Sequence, residues 1–281
     1  MATRPSSGST SKSAVAAAAG TRPARARATP VWELLVDPPA TGAENMARDR
    51  ELLDQLVGGE RPATLRFYAW NPACISLGLG QREEILDIDA VRAAGLDVVR
   101  RPTGGQALLH DREVTYSVVA SQQDPVVGGT LMQSYHAISE ALLAGLRGLG
   151  ISGESASCEP RPASGLTPIC FASASAEEVL VGGRKLIASA QWRSRGAFLQ
   201  HGSLLLQDRQ GDLPGLMRDA AARKATPLSI SLDELLAEEP SPQELVELLS
   251  RGFEQALGIR LRPARPSSTN PGSAEVRQNG S

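Results

Sequence analysis

The stretch PICFASASAEEVLVGGRKLIASAQ, from Pro168 to Gln191, joins a cysteine-bearing loop to a strand, and the interpretation of the whole chain depends on it. Its first part is rich in Pro, Ser and Ala and contains Cys170. Gly182-Gly183 is typical of a tight turn, and the residues after it alternate as a strand that carries Lys185. The cysteine is therefore either an inert side chain or a nucleophile with this lysine as its partner.

The alternation in RKLIASAQW predicts a strand with two unlike faces. One face carries Lys185, Ile187, Ser189 and Gln191, and the other carries Leu186, Ala188, Ala190 and Trp192. The second face is apolar and core-like. The first mixes a cation, a hydroxyl and an amide, which is typical of a sheet that lines a pocket. A lysine that faces solvent on an ordinary strand is the alternative.

Strand and helix patterns alternate along the rest of the chain. Strand patterns cover residues 64–70, 74–81, 96–101, 114–120, 177–181 and 198–207, and helix patterns cover residues 84–94, 131–149 and 241–258. Capping boxes at Thr130/Gln133 and Ser241/Glu244 support the last two helices. Because the strict alternation of a doubly wound parallel fold is missing, we predict an α/β (α+β) domain with a mixed sheet covered by helices.

The two ends of the chain differ in composition from its middle. No acidic side chain occurs in the first 32 residues, and the last 19 are rich in Pro, Ser, Asn and Gly. We predict disordered tails at residues 1–31 and 263–281 and one catalytic domain at residues 32–262. The alternative for the first tail is an organellar transit peptide.

Charge, apolar runs and cysteines limit the class of protein. The net charge of −2 gives no reason to expect a nucleic-acid partner, and no apolar run approaches the roughly 18 residues of a membrane span. The three cysteines, Cys74, Cys158 and Cys170, show no metal-ligand spacing. We therefore expect a cytoplasmic protein with reduced thiols and no bound metal.

The chemistry expected of Cys170 and Lys185 is acyl transfer. A free thiol has a pKa near 8.5, and an ammonium close to it favours the reactive thiolate. A thiolate with a lysine suits transfer between a thioester and an amine, whereas phosphoryl transfer needs phosphate and metal ligands. The alternative is that Cys170 is a small buried hydrophobic residue beside Phe171.

A second motif, VVRRPTGGQALLHD at residues 98–111, lies upstream. Arg100 and Arg101 end a strand pattern, and Gly104-Gly105 allows close approach of the backbone to a carbonyl or phosphate group. A plain hairpin turn with solvated arginines is the alternative.

These motifs together resemble one family. WNPACISLGLGQ, RRPTGGQALLHD, GGRKLIASAQ and LQHGSLLL are similar to the lipoate/biotin protein ligase catalytic domains over most of the predicted domain. CF upstream of the lysine strand resembles the cysteine-dependent octanoyltransferases of lipoate biosynthesis. The chain departs from the ligases in having Gln106 where they usually have a third glycine. It also lacks a sizeable accessory domain after HGSLLL.

The resemblance implies a class II synthetase/biotin-ligase-like fold and a set of site residues. Cys170 would be the nucleophile and Lys185 would lower its pKa. The implied substrate-binding residues are Arg100, Arg101, Thr103, Gly104, Gly105, His110, Ser189, Ala190, Gln191 and His201.

The implied reaction moves octanoyl from acyl carrier protein to the lysine of a lipoyl domain, such as the glycine-cleavage H protein, through a Cys170 thioester and without a cofactor. Local basic charge would attract these acidic partners; the candidates are Arg100, Arg101, Arg112, Arg184, Arg193 and Arg195. The alternatives are an octanoyl amidotransferase between lipoyl domains, an ATP-dependent lipoate-protein ligase, and a non-catalytic acyl- or biotin-binding module.

Overall fold

Two β-sheets of unequal size form the framework of the protein, in a computed structural model that describes residues 28–156, 168–172 and 178–264. The strands are β1 (Val31–Val36), β2 (Thr64–Tyr68), β3 (Cys74–Leu77), β4 (Asp97–Arg100), β5 (Leu108–His110), β6 (Glu113–Ser121), β7 (Glu154–Ser155), β8 (Val179–Val181), β9 (Arg184–Ser194), β10 (Ala197–Leu205) and β11 (Arg260–Pro263). The helices are α1 (Gly42–Val57), α2 (Ile88–Ala93), α3 (Leu131–Arg147), α4 (Leu232–Leu235) and α5 (Pro242–Leu257).

The large sheet is mixed, as predicted. Its eight strands run in the order β11-β1-β2-β6-β10-β9-β8-β7. β1 is parallel to both of its neighbours, and the remaining pairs are antiparallel. A second sheet, in the order β4-β3-β5, was not predicted as a separate unit. The strand patterns at 64–70 and 74–81 thus belong to different sheets.

Helices cover both faces of the large sheet. On β6, Val118 belongs to the main core under α3 and α5, whereas Val119 packs with Leu52 and Leu53 of α1. Thr115 and Ser117 of β6 are buried as well, which the alternation alone did not predict. Within the described ranges, no helix has the length and apolar character needed to cross a bilayer.

The two best-marked helices begin where the sequence predicts. Thr130 with Gln133 and Ser241 with Glu244 form complete capping boxes, and α5 ends before Gly258 at a φ of 62°. The helix predicted at residues 84–94 is interrupted, because a short 3₁₀ turn at Glu83–Ile85 is separated from the α-helix by extended backbone. Leu86 is fully buried and pairs with Met217 as an isolated bridge, so the backbone there is extended and α2 starts only at Ile88.

The strand predicted at residues 74–81 ends at Leu77 because the chain turns at Gly78. A Cβ at Gly78 would lie 2.0 Å from the carbonyl oxygen of Gly105, so the two glycine loops touch through their backbones. The predicted tails lie almost wholly outside the described residues, and Cys158 does too. β1 starts at Val31 and β11 ends at Pro263, each one residue beyond the predicted domain.

Replacing Gly252 with alanine is expected to lower the free energy of unfolding by about 1–3 kcal/mol. A Cβ at Gly252 of α5 would lie 2.3 Å from the backbone nitrogen of Gly145 in α3, so the helices have to move apart. Urea titration of the variant measures the effect. Gly215→Ala is the control, because a Cβ there meets no atom within 4 Å. Equal stability of the two variants would contradict this account of the α3–α5 contact.

Candidate active site

A cavity of about 150 Å³ lies between the two sheets and is closed on one side by the loop that contains Gly104-Gly105. Several predicted site residues line it: Arg101, Gly105, His110, Cys170, Ser189, Ala190 and His201. Leu108 and Ala188 supply apolar surface beside the cysteine. The sequence motifs, which are far apart in the chain, therefore meet at one cavity.

Other predicted site residues lie behind this wall or away from it. Thr103 is fully buried and contacts His201, and the carbonyl of Gly104 accepts hydrogen bonds from Arg101. Arg100 donates to the carbonyls of Gly78 and Gln81 outside the cavity. Gln191 bonds to Gln200 and Arg193 and does not line the cavity. These four residues do not line the cavity.

The two predicted faces of β9 are not divided between core and pocket. Ala188, Ser189 and Ala190 all line the cavity, although alternation puts the alanines opposite the serine. Ala188 pairs with Ser203 and Ala190 with His201 of β10, and these partners also line the cavity. The face predicted to be core-like therefore forms part of the pocket wall, while Ile187 of the predicted pocket face packs in the main core.

Cys170 is held at the wall by backbone pairing. Its N–H donates to the carbonyl of Ala107 at 2.9 Å, directly after the Gly-Gly-Gln turn. The side chain is half-buried and packs against a small cluster that includes Leu108, Phe171 and Ala188. Part of the surface of Cys170 thus faces the cavity.

Lys185 reaches the cysteine segment, but not in the expected way. Its Nζ lies 2.8 Å from the backbone carbonyl oxygen of Cys170 and 2.8 Å from Oε2 of Glu178. Both charged side chains are only 2% exposed. The ammonium is therefore fixed beside Cys170 by a carbonyl and a carboxylate.

Burial and the nearby charges act on the Cys170 thiol in opposite directions. Burial raises the pKa of Cys170 above its ordinary value, and Glu178 raises it further. The charges of Lys185 and Arg101 and a backbone hydrogen bond with Gln106 lower the pKa, but they do not outweigh burial. The charge of Lys185 thus acts on the pKa of Cys170 in the predicted direction, and burial acts in the opposite direction.

Alkylation of Cys170 by iodoacetamide is expected to be slower at pH 7 than alkylation of a free cysteine, and to rise at alkaline pH. The raised pKa leaves less thiolate at neutral pH. Peptide mass spectrometry across a pH series measures the profile. Cys74 is an internal control, because burial raises its pKa to about 12 and it stays unlabelled. If the alkylation rate of Cys170 rose at a lower pH than the alkylation rate of free cysteine, the prediction would be contradicted.

A buried network joins His201 to helix α1. Nδ1 of His201 lies 3.1 Å from Oδ2 of Asp49, and Nε2 lies 2.8 Å from the hydroxyl of Thr103. Burial raises the pKa of Asp49, but the hydrogen bond with His201 and the charge of Arg66 outweigh it, so that its pKa is below the ordinary value. Burial lowers the pKa of His201. A neutral imidazole ordered by a carboxylate therefore faces the cavity.

A second acid–imidazole pair lies on the other side of the cavity. Nδ1 of His110 is 2.8 Å from Oε1 of Glu113, and Nε2 is 2.7 Å from the hydroxyl of Ser76. The ring stacks on Trp70 at 3.8 Å between centroids. Ser76 also accepts a hydrogen bond from Arg101 at 2.9 Å. These contacts orient His110 and Arg101, which sequence analysis predicted as substrate-binding residues.

Several residues of the site were not predicted, and their signals in the sequence are weak. Glu178 is one of two glutamates before β8, and only the folded chain brings it to Lys185. Asp49 lies on the polar-looking helix α1, 152 residues from His201. Trp70 opens the stretch WNPACISLGLGQ, but sequence analysis did not name it as a site residue. Across the three described ranges, no cluster of His, Cys, Asp and Glu is arranged to hold a metal.

The arginines predicted to attract acidic partners are largely engaged. Exposed ion pairs join Arg112 to Glu239, Arg184 to Glu234 and Arg195 to Asp54. Arg100, Arg101 and Arg193 donate to carbonyls or polar side chains. The surface thus offers less uncompensated positive charge than the sequence predicts.

Comparisons with known proteins agree with this geometry. Residues 41–254 match the family described as the lipoyl protein ligase A/B catalytic domain. Octanoyltransferase LipM of Kyrpidia tusciae is 41% identical over 87% of this chain and 93% of its own length. Octanoyltransferase LipM of Bacillus subtilis is 36% identical over 83% of this chain and 88% of its own length.

Solved structures show the same fold. A lipoate-protein ligase A bound with ATP superposes with a TM-score of 0.70 at 23% identity, covering 84% of this chain and 90% of that one. A structure from an analysis of a bipartite lipoate protein ligase and its E2 lipoyl domain from Thermoplasma acidophilum superposes with a TM-score of 0.69 at 22% identity, covering 85% of this chain and 88% of that one. At these identities the likeness concerns the fold alone.

Proposed function

This chain belongs to the lipoyl protein ligase A/B catalytic-domain family, and we propose from that premise that it is a cytoplasmic octanoyltransferase that works through a Cys170 thioester. Its relatives are named octanoyltransferase LipM, and like them it is an acyltransferase of lipoate biosynthesis. The proposed donor is octanoyl-acyl carrier protein, and the proposed acceptor is the lysine of a lipoyl domain, such as the glycine-cleavage H protein.

The position of Cys170 is the observation that carries the proposal. Its side chain shares the cavity with the apolar residues Leu108 and Ala188 and with the polar residues Arg101 and Gln106. An apolar wall beside a nucleophile suits an acyl chain. Burial of six methylenes contributes on the order of 5 kcal/mol, at about 0.8 kcal/mol each.

In the first step, Cys170 attacks the thioester carbonyl of the donor. A bond forms between Sγ and the carbonyl carbon, the bond to the donor sulfur breaks, and the proton of Cys170 leaves with the donor thiol. The ammonium of Lys185 and the guanidinium of Arg101 favour the thiolate during this exchange. The backbone N–H of Gln106 is positioned to stabilise developing negative charge.

In the second step, the acceptor lysine attacks the acyl-enzyme. An amide forms, the bond between Sγ and the acyl carbon breaks, and the sulfur leaves next to the same two cations. No nucleotide takes part, because the donor thioester already supplies an activated acyl group. Independence from ATP separates this proposal from a ligase, in which an adenylate would precede transfer.

Intact-mass spectrometry tests the proposal. The protein is incubated with octanoyl-acyl carrier protein and without ATP, and is then mixed with a lipoyl-domain acceptor. We expect one octanoyl adduct on the enzyme, which moves to the acceptor. In a parallel incubation, octanoylated H protein replaces the acyl carrier protein as donor. Transfer of octanoyl from this donor would identify an amidotransferase. Failure to gain octanoyl mass from any thioester donor would remove the proposal.

A further inference from the structure

Gln106 is a polar residue of the cavity wall whose side chain the proposed reaction does not use. The residue is half-buried and lines the cavity together with Cys170. Its backbone N–H donates a hydrogen bond to the Cys170 sulfur. Gln106 is also the position at which the chain departs from the third glycine of the ligases. The chain therefore carries a carboxamide next to the proposed nucleophile.

Gln81 fixes which end of the Gln106 carboxamide is turned away from it. Oε1 of Gln81 accepts a hydrogen bond from the backbone N–H of Gly78 at 3.1 Å. Nε2 of Gln81 donates to Oε1 of Gln106 at 2.9 Å and to the carbonyl oxygen of Pro168 at 3.0 Å. Because the oxygen and nitrogen of a carboxamide lie on opposite sides of one carbon, Nε2 of Gln106 points away from Gln81. Among the residues that the structure describes, none accepts a hydrogen bond from this Nε2, so its two N–H groups are available to a ligand.

Backbone contacts hold Gln106 in place beside the cysteine. The guanidinium of Arg101 donates to the carbonyl oxygen of Gln106 at 2.7 Å. The next residue, Ala107, pairs with the cysteine segment on both of its polar groups. Its N–H donates to the carbonyl oxygen of Pro168 at 2.9 Å, and its carbonyl oxygen accepts from the N–H of Cys170 at 2.9 Å. The carboxamide and the nucleophile thus belong to one hydrogen-bonded unit, and such preorganised donors are the ones that stabilise charge in a transition state.

We propose that Nε2 of Gln106 donates a hydrogen bond to the carbonyl oxygen of the octanoyl group as negative charge develops on it. The proposal rests on the proposed function, because it needs a thioester carbonyl that is attacked at Cys170. The backbone N–H of Gln106 contacts the sulfur, so the side chain of the same residue lies within reach of the carbon that becomes bound to the sulfur. Gln106 is then a catalytic residue in both steps of the transfer.

The electrons balance without any change in Gln106 itself. In the first step Sγ of Cys170 bonds to the carbonyl carbon, and an electron pair of the C=O bond moves onto the oxygen. Nε2 donates to this oxyanion, and the pair returns when the bond to the donor sulfur breaks. In the second step the acceptor nitrogen forms the new bond, the same oxygen takes the pair, and its return breaks the bond to Sγ. Gln106 gains and loses no proton, so one hydrogen bond serves both tetrahedral intermediates.

Single-turnover kinetics on Gln106→Met and Gln106→Glu tests the assignment, with intact mass following acylation and then transfer from the isolated acyl-enzyme. Both variants lack the N–H donors, but only glutamate keeps an acceptor for Nε2 of Gln81. We expect both steps to fall about 100-fold or more in Gln106→Met, as on loss of one oxyanion donor. Gln106→Glu should be slower still, because a carboxylate repels the developing charge. If Gln106 only braced the loop through Gln81, the order would be reversed and Gln106→Glu would be the more active variant.

Alkylation of Cys170 by iodoacetamide separates catalysis from a displaced sulfur, because this displacement forms no oxyanion. Gln106→Met should be alkylated at close to the wild-type rate while it is acylated slowly. Gln243→Met is the control and should change neither rate, since Gln243 is exposed on α5 and donates only to Glu247. Normal acylation in Gln106→Met, or equal losses in acylation and alkylation, would overturn the assignment. A wild-type protein that takes no octanoyl from a thioester donor would instead overturn the proposed function.

Discussion

Cys170→Ser is expected to form no acyl-enzyme with octanoyl-acyl carrier protein and to lose octanoyl transfer by on the order of 1000-fold or more. Serine keeps the size and position of the side chain. An alkoxide is far more basic than a thiolate, however, so a much smaller fraction of the serine side chain is ionised. Lys185 and Arg101 cannot offset that difference, because burial already raises the pKa of the thiol above its ordinary value. The variant should fold normally, since only one atom changes at a half-buried site.

The matched control for this prediction is Cys74→Ala. Cys74 is fully buried in β3, does not line the cavity and has a pKa raised to about 12. This variant should keep both the octanoyl adduct and the transfer activity. Replacing Cys158 with serine in both variants leaves one cysteine in each of them. A Cys170→Ser protein that transfers octanoyl at the wild-type rate would rule out the thioester and favour direct transfer or a different nucleophile.

The fold was predictable wherever local signals are strong. The capping boxes of α3 and α5 and the alternation in β6, β9 and β10 are properties of neighbouring residues, and the structure has these elements where the sequence places them. The break at Leu86 was not predictable. It depends on pairing with Met217, which is 131 residues further along the chain, and long-range pairing overrides local helix preference.

The site was predictable as motifs, but its electrostatics were not. Sequence analysis identified Cys170, Lys185 and Arg101, and the structure brings them together. It predicted one ammonium acting on one sulfur. Burial and the charge of Glu178 raise the pKa of the same sulfur, against Lys185 and Arg101, and sequence analysis predicted neither of these opposing effects. The pKa of the Cys170 sulfur depends on how deeply it is buried and on Glu178, a carboxylate that no motif identifies.

Lys185→Met is expected to have two separable effects, of which loss of stability is the first. The substitution removes the ammonium beside a carboxylate that is 2% exposed. Removing one partner of a buried ion pair costs about 3–5 kcal/mol. Urea titration should therefore show a large fall in the free energy of unfolding. Arg184→Met removes the neighbouring exposed cation, paired with Glu234, and should cost about 1 kcal/mol or less.

The second effect is loss of activity, and a double variant separates it from the first. Lys185→Met with Glu178→Gln has no buried charge at this position and should regain most of the lost stability. Its acylation rate should nevertheless stay about 100-fold or more below wild type, because the sulfur has lost a cation that lowers its pKa. If recovery of stability also restored acylation, Lys185 would serve only to compensate Glu178. Low acylation in a stable protein would instead assign the ammonium to the chemistry at Cys170.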